Sequence, residues 1–254
     1  MVKSGMHNQT AHRAQMNQAL HIEPGSTVAL TIDMQRTYLD PEIGNKSLPA
    51  AEAQAVMTAA SRLLDACRAL GIPVVHAYVN RLPIEQMARI GNSRFATISR
   101  SFATGGAPES PDRPEGSVQA ELMTAIVGAD DIHVKSKKTT DSYHGTELGL
   151  LFENAIRPTT VIILGINTET CVHAGVFATK VRGYQPVVAS DCVGSHRDPE
   201  NSELALELMS RTIAWVMHSE EIIAKLTHAT ITTNTGARIL PDSPPTPERK
   251  RSRR

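Results

Sequence analysis

Short apolar runs alternate with amphipathic stretches over most of the chain. A run that is apolar at almost every position predicts a parallel strand buried on both faces, because helices cover both sides of a parallel sheet. Runs of this kind follow Ser26 and occupy residues 72–79, 159–164 and 185–190, and a further strand is predicted at residues 131–136.

Amphipathic stretches lie between and after these runs, with apolar residues three or four positions apart. This spacing predicts helices that bury one face. The stretches are residues 49–70, 117–127, 145–156, 171–182 and 201–216. Strands that alternate with helices favour right-handed β-α-β crossovers and parallel pairing. We therefore predict an α/β fold, a three-layer α-β-α doubly wound sheet that is mainly parallel.

The two ends and one internal stretch depart from this alternation. Residues 1–22 are polar and aperiodic, which predicts an N-terminal arm, either flexible or packed. Residues 23–236 predict one domain, whereas residues 237–254, proline-rich and then basic, predict a disordered tail. An insertion between Asn80 and Gly116, rich in arginine, glycine, proline and serine, is expected to hold substrate selectivity.

The composition limits the kinds of partner that the protein is expected to bind. The 254 residues contain 26 basic and 26 acidic side chains, so no global field attracts nucleic acid or a membrane surface, and a small-molecule substrate is expected. No apolar run approaches the roughly 20 residues that span a bilayer. The polar start lacks the apolar region of a secretory signal, which predicts a cytoplasmic protein. Three cysteines are too few and too scattered for a disulfide framework.

Three polar groups follow predicted strands. Asp33 ends the first strand, Lys135, Lys137 and Lys138 lie at the end of another, and Cys171 opens a predicted helix. The carboxyl ends of parallel strands share one crevice, so these groups are expected to converge. A thiol at a helix N-terminus meets unsatisfied N–H groups that favour the thiolate, although an isolated cysteine is more often buried and inert.

Three motifs occur together and in order: Asp-Met-Gln from residue 33, a lysine followed six positions later by an aromatic residue, and Gly-Ile-Asn-Thr-Glu-Thr-Cys at 165–171. On these motifs the chain, from about Gly25 to Leu226, resembles the isochorismatase-like cysteine hydrolases. That superfamily includes nicotinamidases, N-carbamoylsarcosine amidases, ureidoacrylate and biuret hydrolases, and isochorismatase. The resemblance implies a catalytic Asp33, Lys137 and Cys171; Lys137 is chosen because Tyr143 lies six positions after it.

The resemblance also implies a mechanism. Asp33 takes the thiol proton, Cys171 forms a thioester, and a C–N bond of a small amide, carbamoyl or ureido substrate is cleaved. The backbone N–H groups of Asn167 and Cys171 form the oxyanion hole, and the Ile166–Asn167 peptide corresponds to a cis bond in relatives. Lys137 is expected to lower the pKa of the thiol.

Further site residues are assigned more loosely. The expected substrate-binding residues are Tyr143, His144, Thr168 and Arg94. No metal and no cofactor is expected, because the stretch TYLDPEIGNKSL lacks the histidine of the nicotinamidase metal motif. By analogy the protein forms a homodimer or homotetramer. Two alternatives stay open: vinyl-ether hydrolysis of the isochorismatase type, and a non-catalytic binding module on the same fold.

Overall fold

A six-stranded parallel sheet forms the centre of the computed structural model, which describes residues 10–44, 46–88 and 112–234. The strands are β1 (Thr27–Ile32), β2 (Val74–Val79), β3 (Ile132–Lys137), β4 (Thr160–Ile166), β5 (Gln185–Gly194) and β6 (Trp215–Met217). Their spatial order is β3-β2-β1-β4-β5-β6, and every neighbouring pair is parallel. The chain reverses its direction of travel across the sheet between β1 and β4, where open α/β sheets form their ligand crevice.

Helices cover both faces of this sheet. Those of the described ranges are α1 (Thr10–Ala19), α2 (Arg36–Leu39), α3 (Ala50–Ala69), α4 (Pro83–Ala88), α5 (Leu148–Leu151), α6 (His173–Val181), α7 (Pro199–Thr212) and α8 (Ser219–Asn234). One buried apolar cluster lies under α3 and α8, and a second lies under α5, α6 and α7. The predicted three-layer doubly wound fold is confirmed, and its sheet is wholly parallel within the described residues.

The helix predicted at 117–127 is wrong. The structure has two single 3₁₀ turns there, Val118–Ala120 and Thr124–Ile126. The residues between them run extended beside the segment that follows β1: the Arg36 N–H donates to the Glu121 carbonyl at 2.9 Å, and the Met123 N–H donates to the Met34 carbonyl at 3.2 Å. Although the apolar residues of 117–127 have helical spacing, these residues form hydrogen bonds to a distant segment in place of those of a helix.

The sixth strand was also missed. The helix predicted at 201–216 ends at Thr212 as α7, and the residues beyond it form the edge strand β6. Helix α1, within the predicted arm, lies beside this edge. Asn17 Nδ2 donates to the Val216 carbonyl at 2.9 Å, and Trp215 Nε1 donates to the Met16 carbonyl at 3.3 Å. These bonds occupy part of an edge that would otherwise expose unpaired backbone groups.

Two other helices are shorter than predicted. The helix expected at 145–156 is α5 followed by a π-helical turn, Phe152–Ile156, and α6 begins two residues after Cys171. The predicted tail at 237–254 lies outside the described residues. In the ranges that are described, no helix is both long enough and apolar enough to cross a membrane.

Candidate active site

Asp33 is the first residue after β1 and is fully buried. Its backbone is left-handed, with φ at +53°, a conformation that few residues other than glycine and asparagine adopt readily. The neighbouring strand approaches closely at Gly165, whose φ is +142° and where a Cβ would lie 2.1 Å from the Ile32 carbonyl oxygen. Only glycine fits there, and the tight packing of β4 on β1 helps to position Asp33.

Lys137 is the last residue of β3, and its long side chain is fully buried. Opposite Val79 the strand pairing shifts, so that both Ser136 and Lys137 face this one residue of β2. Such a bulge re-aims the side chains that follow it. Lys137 Nζ thereby comes within 2.6 Å of Asp33 Oδ2.

The other two candidate lysines lie elsewhere. Lys135 is exposed. Lys138 Nζ donates to the Asn80 carbonyl and pairs with Glu85 Oε2 at 2.9 Å. Of the three lysines, only Lys137 reaches Asp33.

Cys171 lies in a π-helical turn, Thr168–Val172, rather than in the first turn of an α-helix as expected. The residue is partly exposed, and its Sγ lies 3.6 Å from Lys137 Nζ. Residues from three separate strand ends therefore meet at the carboxyl edge of the sheet, as the sequence motifs predict. The remaining Asp33 carboxylate oxygen, Oδ1, is buried and has no hydrogen-bond partner in the described part of the chain, which leaves one acceptor unused there.

The electrostatics of the thiol differ from the expectation. Desolvation, the largest cause, and the charge of Asp33 together raise the pKa of Cys171 to about 11, and Lys137 only partly opposes these effects. The resting site therefore holds a neutral thiol beside a carboxylate. Ionisation of Cys171 requires that its proton be transferred to a base, because the surroundings alone do not stabilise the thiolate.

The turn before Cys171 is held by Asn167 and His196. The Ile166–Asn167 peptide is cis. Asn167 Oδ1 accepts hydrogen bonds from His196 N at 3.0 Å and His196 Nδ1 at 2.7 Å. Desolvation lowers the pKa of His196 to about 4, and the charge of Arg197 contributes in the same sense. The imidazole is therefore neutral near pH 7, with its proton on Nδ1 and a lone pair on Nε2.

The structure places the four residues predicted to bind substrate in different surroundings. Tyr143 is buried in the apolar cluster under α6, with its hydroxyl 3.0 Å from Thr179 Oγ1, and its predicted substrate contact stays a prediction. The Thr168 hydroxyl is buried and lies 2.7 Å from Ser202 Oγ. His144 is exposed, and Arg94 lies outside the described residues. Apolar packing against Phe152 explains the aromatic residue six positions after Lys137.

The sequence reasoning missed two residues of the site, Arg113 and Tyr38. Arg113 is buried, and its guanidinium carbon lies 5.3 Å from the centroid of the Tyr38 ring. The Tyr38 ring in turn lies 5.5 Å from the His196 ring. Arg113 falls within the insertion that was expected to hold selectivity, but spacing does not distinguish it from the other arginines there. Among the described residues, no group of three His, Cys, Asp or Glu side chains is arranged to hold a metal.

Comparison with known proteins agrees with this architecture. A sequence model of the Isochorismatase domain matches residues 27–221, and the chain belongs to the isochorismatase family. Maleamate amidohydrolase of Pseudomonas putida is 28% identical over 181 residues, which cover 69% of this chain and 76% of that protein.

Solved structures share the fold at lower sequence identity. A cysteine hydrolase from Pseudomonas syringae superposes with a TM-score of 0.66 at 19% identity, covering 83% of this chain and 96% of that one. N-carbamoylsarcosine amidase from Thermoplasma acidophilum has a TM-score of 0.57 at 19% identity, covering 77% and 97%.

Proposed function

We propose that the protein hydrolyses a C–N bond of a small amide, carbamoyl or ureido substrate through a thioester on Cys171. One observation carries the proposal: Lys137 Nζ lies 2.6 Å from Asp33 Oδ2 and 3.6 Å from Cys171 Sγ, beside a partly exposed thiol. The maleamate amidohydrolase relative supports the same reaction class, since maleamate is the monoamide of a dicarboxylic acid.

Asp33 acts as the base in the first step. Its unused oxygen Oδ1 accepts the thiol proton, the sulfur attacks the substrate carbonyl carbon, and a tetrahedral intermediate forms. The same proton then passes from Asp33 to the departing nitrogen as the C–N bond breaks. The products of this half-reaction are ammonia or an amine and an acyl group on sulfur.

Water completes the reaction. Asp33, again a carboxylate, removes a proton from water, and the resulting oxygen nucleophile attacks the thioester. The C–S bond breaks, the acid product leaves, and the proton returns to sulfur. The raised pKa of Cys171 suits this cycle, because the thiol is a proton donor to Asp33 at rest and a poor spontaneous thiolate.

Lys137 and the turn before Cys171 stabilise charge in this proposal. Lys137 stays close to both reacting groups, which orients the carboxylate and stabilises the thiolate as it forms. The backbone N–H groups of Asn167 and Cys171 stabilise the oxyanion. Loss of one such donor typically lowers kcat by about 100- to 1000-fold.

Trapping tests the covalent step. The protein is mixed with an amide panel comprising maleamate, N-carbamoyl amino acids, biuret, ureidoacrylate and nicotinamide, quenched in acid and analysed by mass spectrometry. We expect ammonia or amine release and an acyl mass on the peptide that contains Cys171. Cys171→Ala is expected to lose both, whereas Cys67→Ser, which alters a buried thiol on α3, retains them. Turnover of these amides by Cys171→Ala at the wild-type rate would exclude the thioester.

A further inference from the structure

Arg113 is held at the carboxyl edge of the sheet by backbone pairing with the end of β2. The Arg81 N–H donates to the Arg113 carbonyl at 3.0 Å, and the Glu115 N–H donates to the Arg81 carbonyl at 2.8 Å. These two bonds, with the isolated bridge between Arg81 and Pro114, fix residues 113–115 beside the strand that separates β1 from β3. Arg113 itself has a left-handed backbone, with φ at +49°.

Gln35 joins Arg113 to Asp33 through one backbone and one side-chain hydrogen bond. The Gln35 N–H donates to the Asp33 carbonyl at 2.7 Å, and Gln35 Oε1 accepts from Arg113 Nη1 at 3.5 Å. Gln35 is itself fully buried and donates from Nε2 to the Val79 and Ala120 carbonyls, both at 2.7 Å. The amide is thus oriented with its oxygen towards the guanidinium.

The other side of the guanidinium leads to the turn before Cys171. Arg113 lies over Tyr38, Tyr38 contacts His196, and His196 donates to Asn167. A continuous series of contacts therefore runs from the residue that carries the carboxylate to the turn that carries the thiol, and Arg113 is in its middle.

Some N–H groups of the Arg113 guanidinium have no partner among the described residues. Its Nε and Nη2 bind the two oxygens of Asp112, at 3.0 and 3.1 Å. With the long Nη1 bond to Gln35, this occupies three of the five guanidinium N–H groups. One N–H on each terminal nitrogen has no partner in the described parts of the chain. Two N–H groups therefore remain, the number that Arg uses in a bidentate contact with a carboxylate.

Asp112 also contacts two other basic side chains. Its carboxylate also faces Arg81 Nε at 3.4 Å and Lys46 Nζ at 3.5 Å. Arg81 is buried, and its Nη1 has no hydrogen-bond partner among the residues that the structure describes. Asp112 is thus in contact with three basic side chains, Arg113, Arg81 and Lys46. Burial opposes the charge of Arg113, but the nearby Tyr38, Asp33 and Asp112 groups hold its pKa above the ordinary value, so it stays charged.

We infer that Arg113 binds a carboxylate at the non-reacting end of the substrate, and that the physiological substrate is an anionic amide. This inference rests on the proposed function, since it assigns the substrate class of the same site. The carboxylate lies on the free edge of the guanidinium while the amide carbon meets Cys171, and the Tyr38 ring packs against the carbon skeleton between them.

The first test compares two substrates that share a carbon skeleton: maleamate, with one carboxylate, and maleamide, its neutral diamide. We expect wild-type kcat/KM to favour maleamate. Arg113→Met lowers kcat/KM for maleamate by at least about 30-fold, mainly through KM, and changes that for maleamide by less than about threefold. Arg113→Lys, which keeps the charge without the fork, is intermediate. Arg62→Met, at an exposed ion pair with Glu220, is the matched control and leaves both values unchanged.

The second test measures binding without catalysis. Maleate has two carboxylates and no amide to cleave, and isothermal titration gives its Kd with wild type, Arg113→Met and Arg113→Lys. We expect Arg113→Met to weaken maleate binding by at least about 30-fold and Arg113→Lys by less. Thermal melts check that the variants are folded.

The outcomes separate the two proposals. Equal maleate affinity in wild type and Arg113→Met, no maleate binding by wild type, or equal loss of activity on maleamate and maleamide overturns the role of Arg113. Loss of maleate binding in Arg113→Met, together with full activity of Cys171→Ala, keeps the anion site and overturns the thioester mechanism instead.

Discussion

Lys137 Nζ lies 2.6 Å from Asp33 Oδ2, although the two residues are 104 positions apart and both side chains are almost completely buried. A buried ion pair is costly to desolvate, and the loss of one partner leaves an uncompensated charge. Because hydrophobic residues of similar volume often stabilise a protein better, stability alone does not explain this pair. Its contact with Cys171 gives the pair a chemical role.

Lys137→Met is expected to destabilise the protein and abolish activity. It strands the Asp33 carboxylate, which typically costs about 3–5 kcal/mol in the free energy of unfolding. Urea unfolding measures this loss. The matched control is Lys135→Met, which alters an exposed lysine of the same strand and is expected to change stability by less than about 0.5 kcal/mol. The double variant Asp33→Asn/Lys137→Met should recover part of the stability that Lys137→Met loses. If it recovers none, the unpaired charge of Asp33 is not the cause of that loss.

Asp33→Asn separates the charge of Asp33 from its backbone conformation. Asparagine tolerates the left-handed φ of +53°, so we expect a folded protein. Without its base, the enzyme should lose about 100- to 10,000-fold in kcat. Near-wild-type kcat in a folded Asp33→Asn variant would exclude Asp33 as the base of the reaction.

The pH dependence of Cys171 alkylation follows from its surroundings. The pKa is raised from an ordinary 9.0 to about 11, so labelling by iodoacetamide should keep rising between pH 9 and 11. Removal of the negative charge in Asp33→Asn moves the midpoint down, and removal of the positive charge in Lys137→Met moves it up. Peptide mapping distinguishes the adduct from those of the buried Cys67 and Cys192. A wild-type midpoint below pH 9 would contradict the neutral resting thiol.

The same shift in the pKa of Cys171 makes the stability of the protein depend on pH. Folding raises the pKa of Cys171, so the stability contributed by its protonated form is present below about pH 9 and is lost as pH rises towards 11. This loss is expected to be smaller in a Cys171→Ala variant, in which the group no longer titrates.

His196 should not titrate near neutrality. Its pKa is lowered to about 4, so NMR should find a neutral ring at pH 6, protonated on Nδ1. Because folding lowers this pKa, the contribution to stability is present above about pH 6.5 and is lost as pH falls towards 4. Arg197→Gln removes a nearby positive charge and should raise the pKa of His196. A ring that titrates near pH 6.5 in the wild type would contradict its burial against Tyr38.

Gly165→Ala tests the packing that positions Asp33. The new Cβ would lie 2.1 Å from the Ile32 carbonyl oxygen at a φ of +142°, so β4 must move away from β1. We expect a loss of more than about 2 kcal/mol in the free energy of unfolding, together with reduced kcat. Gly149→Ala is the matched control, because that position in α5 is open and alanine favours a helix. Equal stability of the two variants would contradict the close approach.

The fold and two of the three converging groups follow from local pattern. Asp33 comes directly after an apolar strand and Cys171 lies in the turn that follows another, and the carboxyl ends of parallel strands meet at one edge whatever the details of packing. The position of Lys137 could not be predicted from the strand pattern alone, because strict alternation places Lys135 and Lys137 on the same face. The bulge opposite Val79 buries Lys137 and leaves Lys135 exposed.

Sequence alone thus determined the doubly wound sheet, the order of its predicted elements and the motifs at the strand ends, because these depend on hydrophobic periodicity over a few residues. Tertiary structure decided what depends on residues far apart in the chain. It replaced the helix at 117–127 with extended pairing, raised the pKa of Cys171 through desolvation, and brought Arg113 beside Tyr38. Burial, bulges and long-range hydrogen bonds set these features, and none of them has a signature in the local spacing of residues.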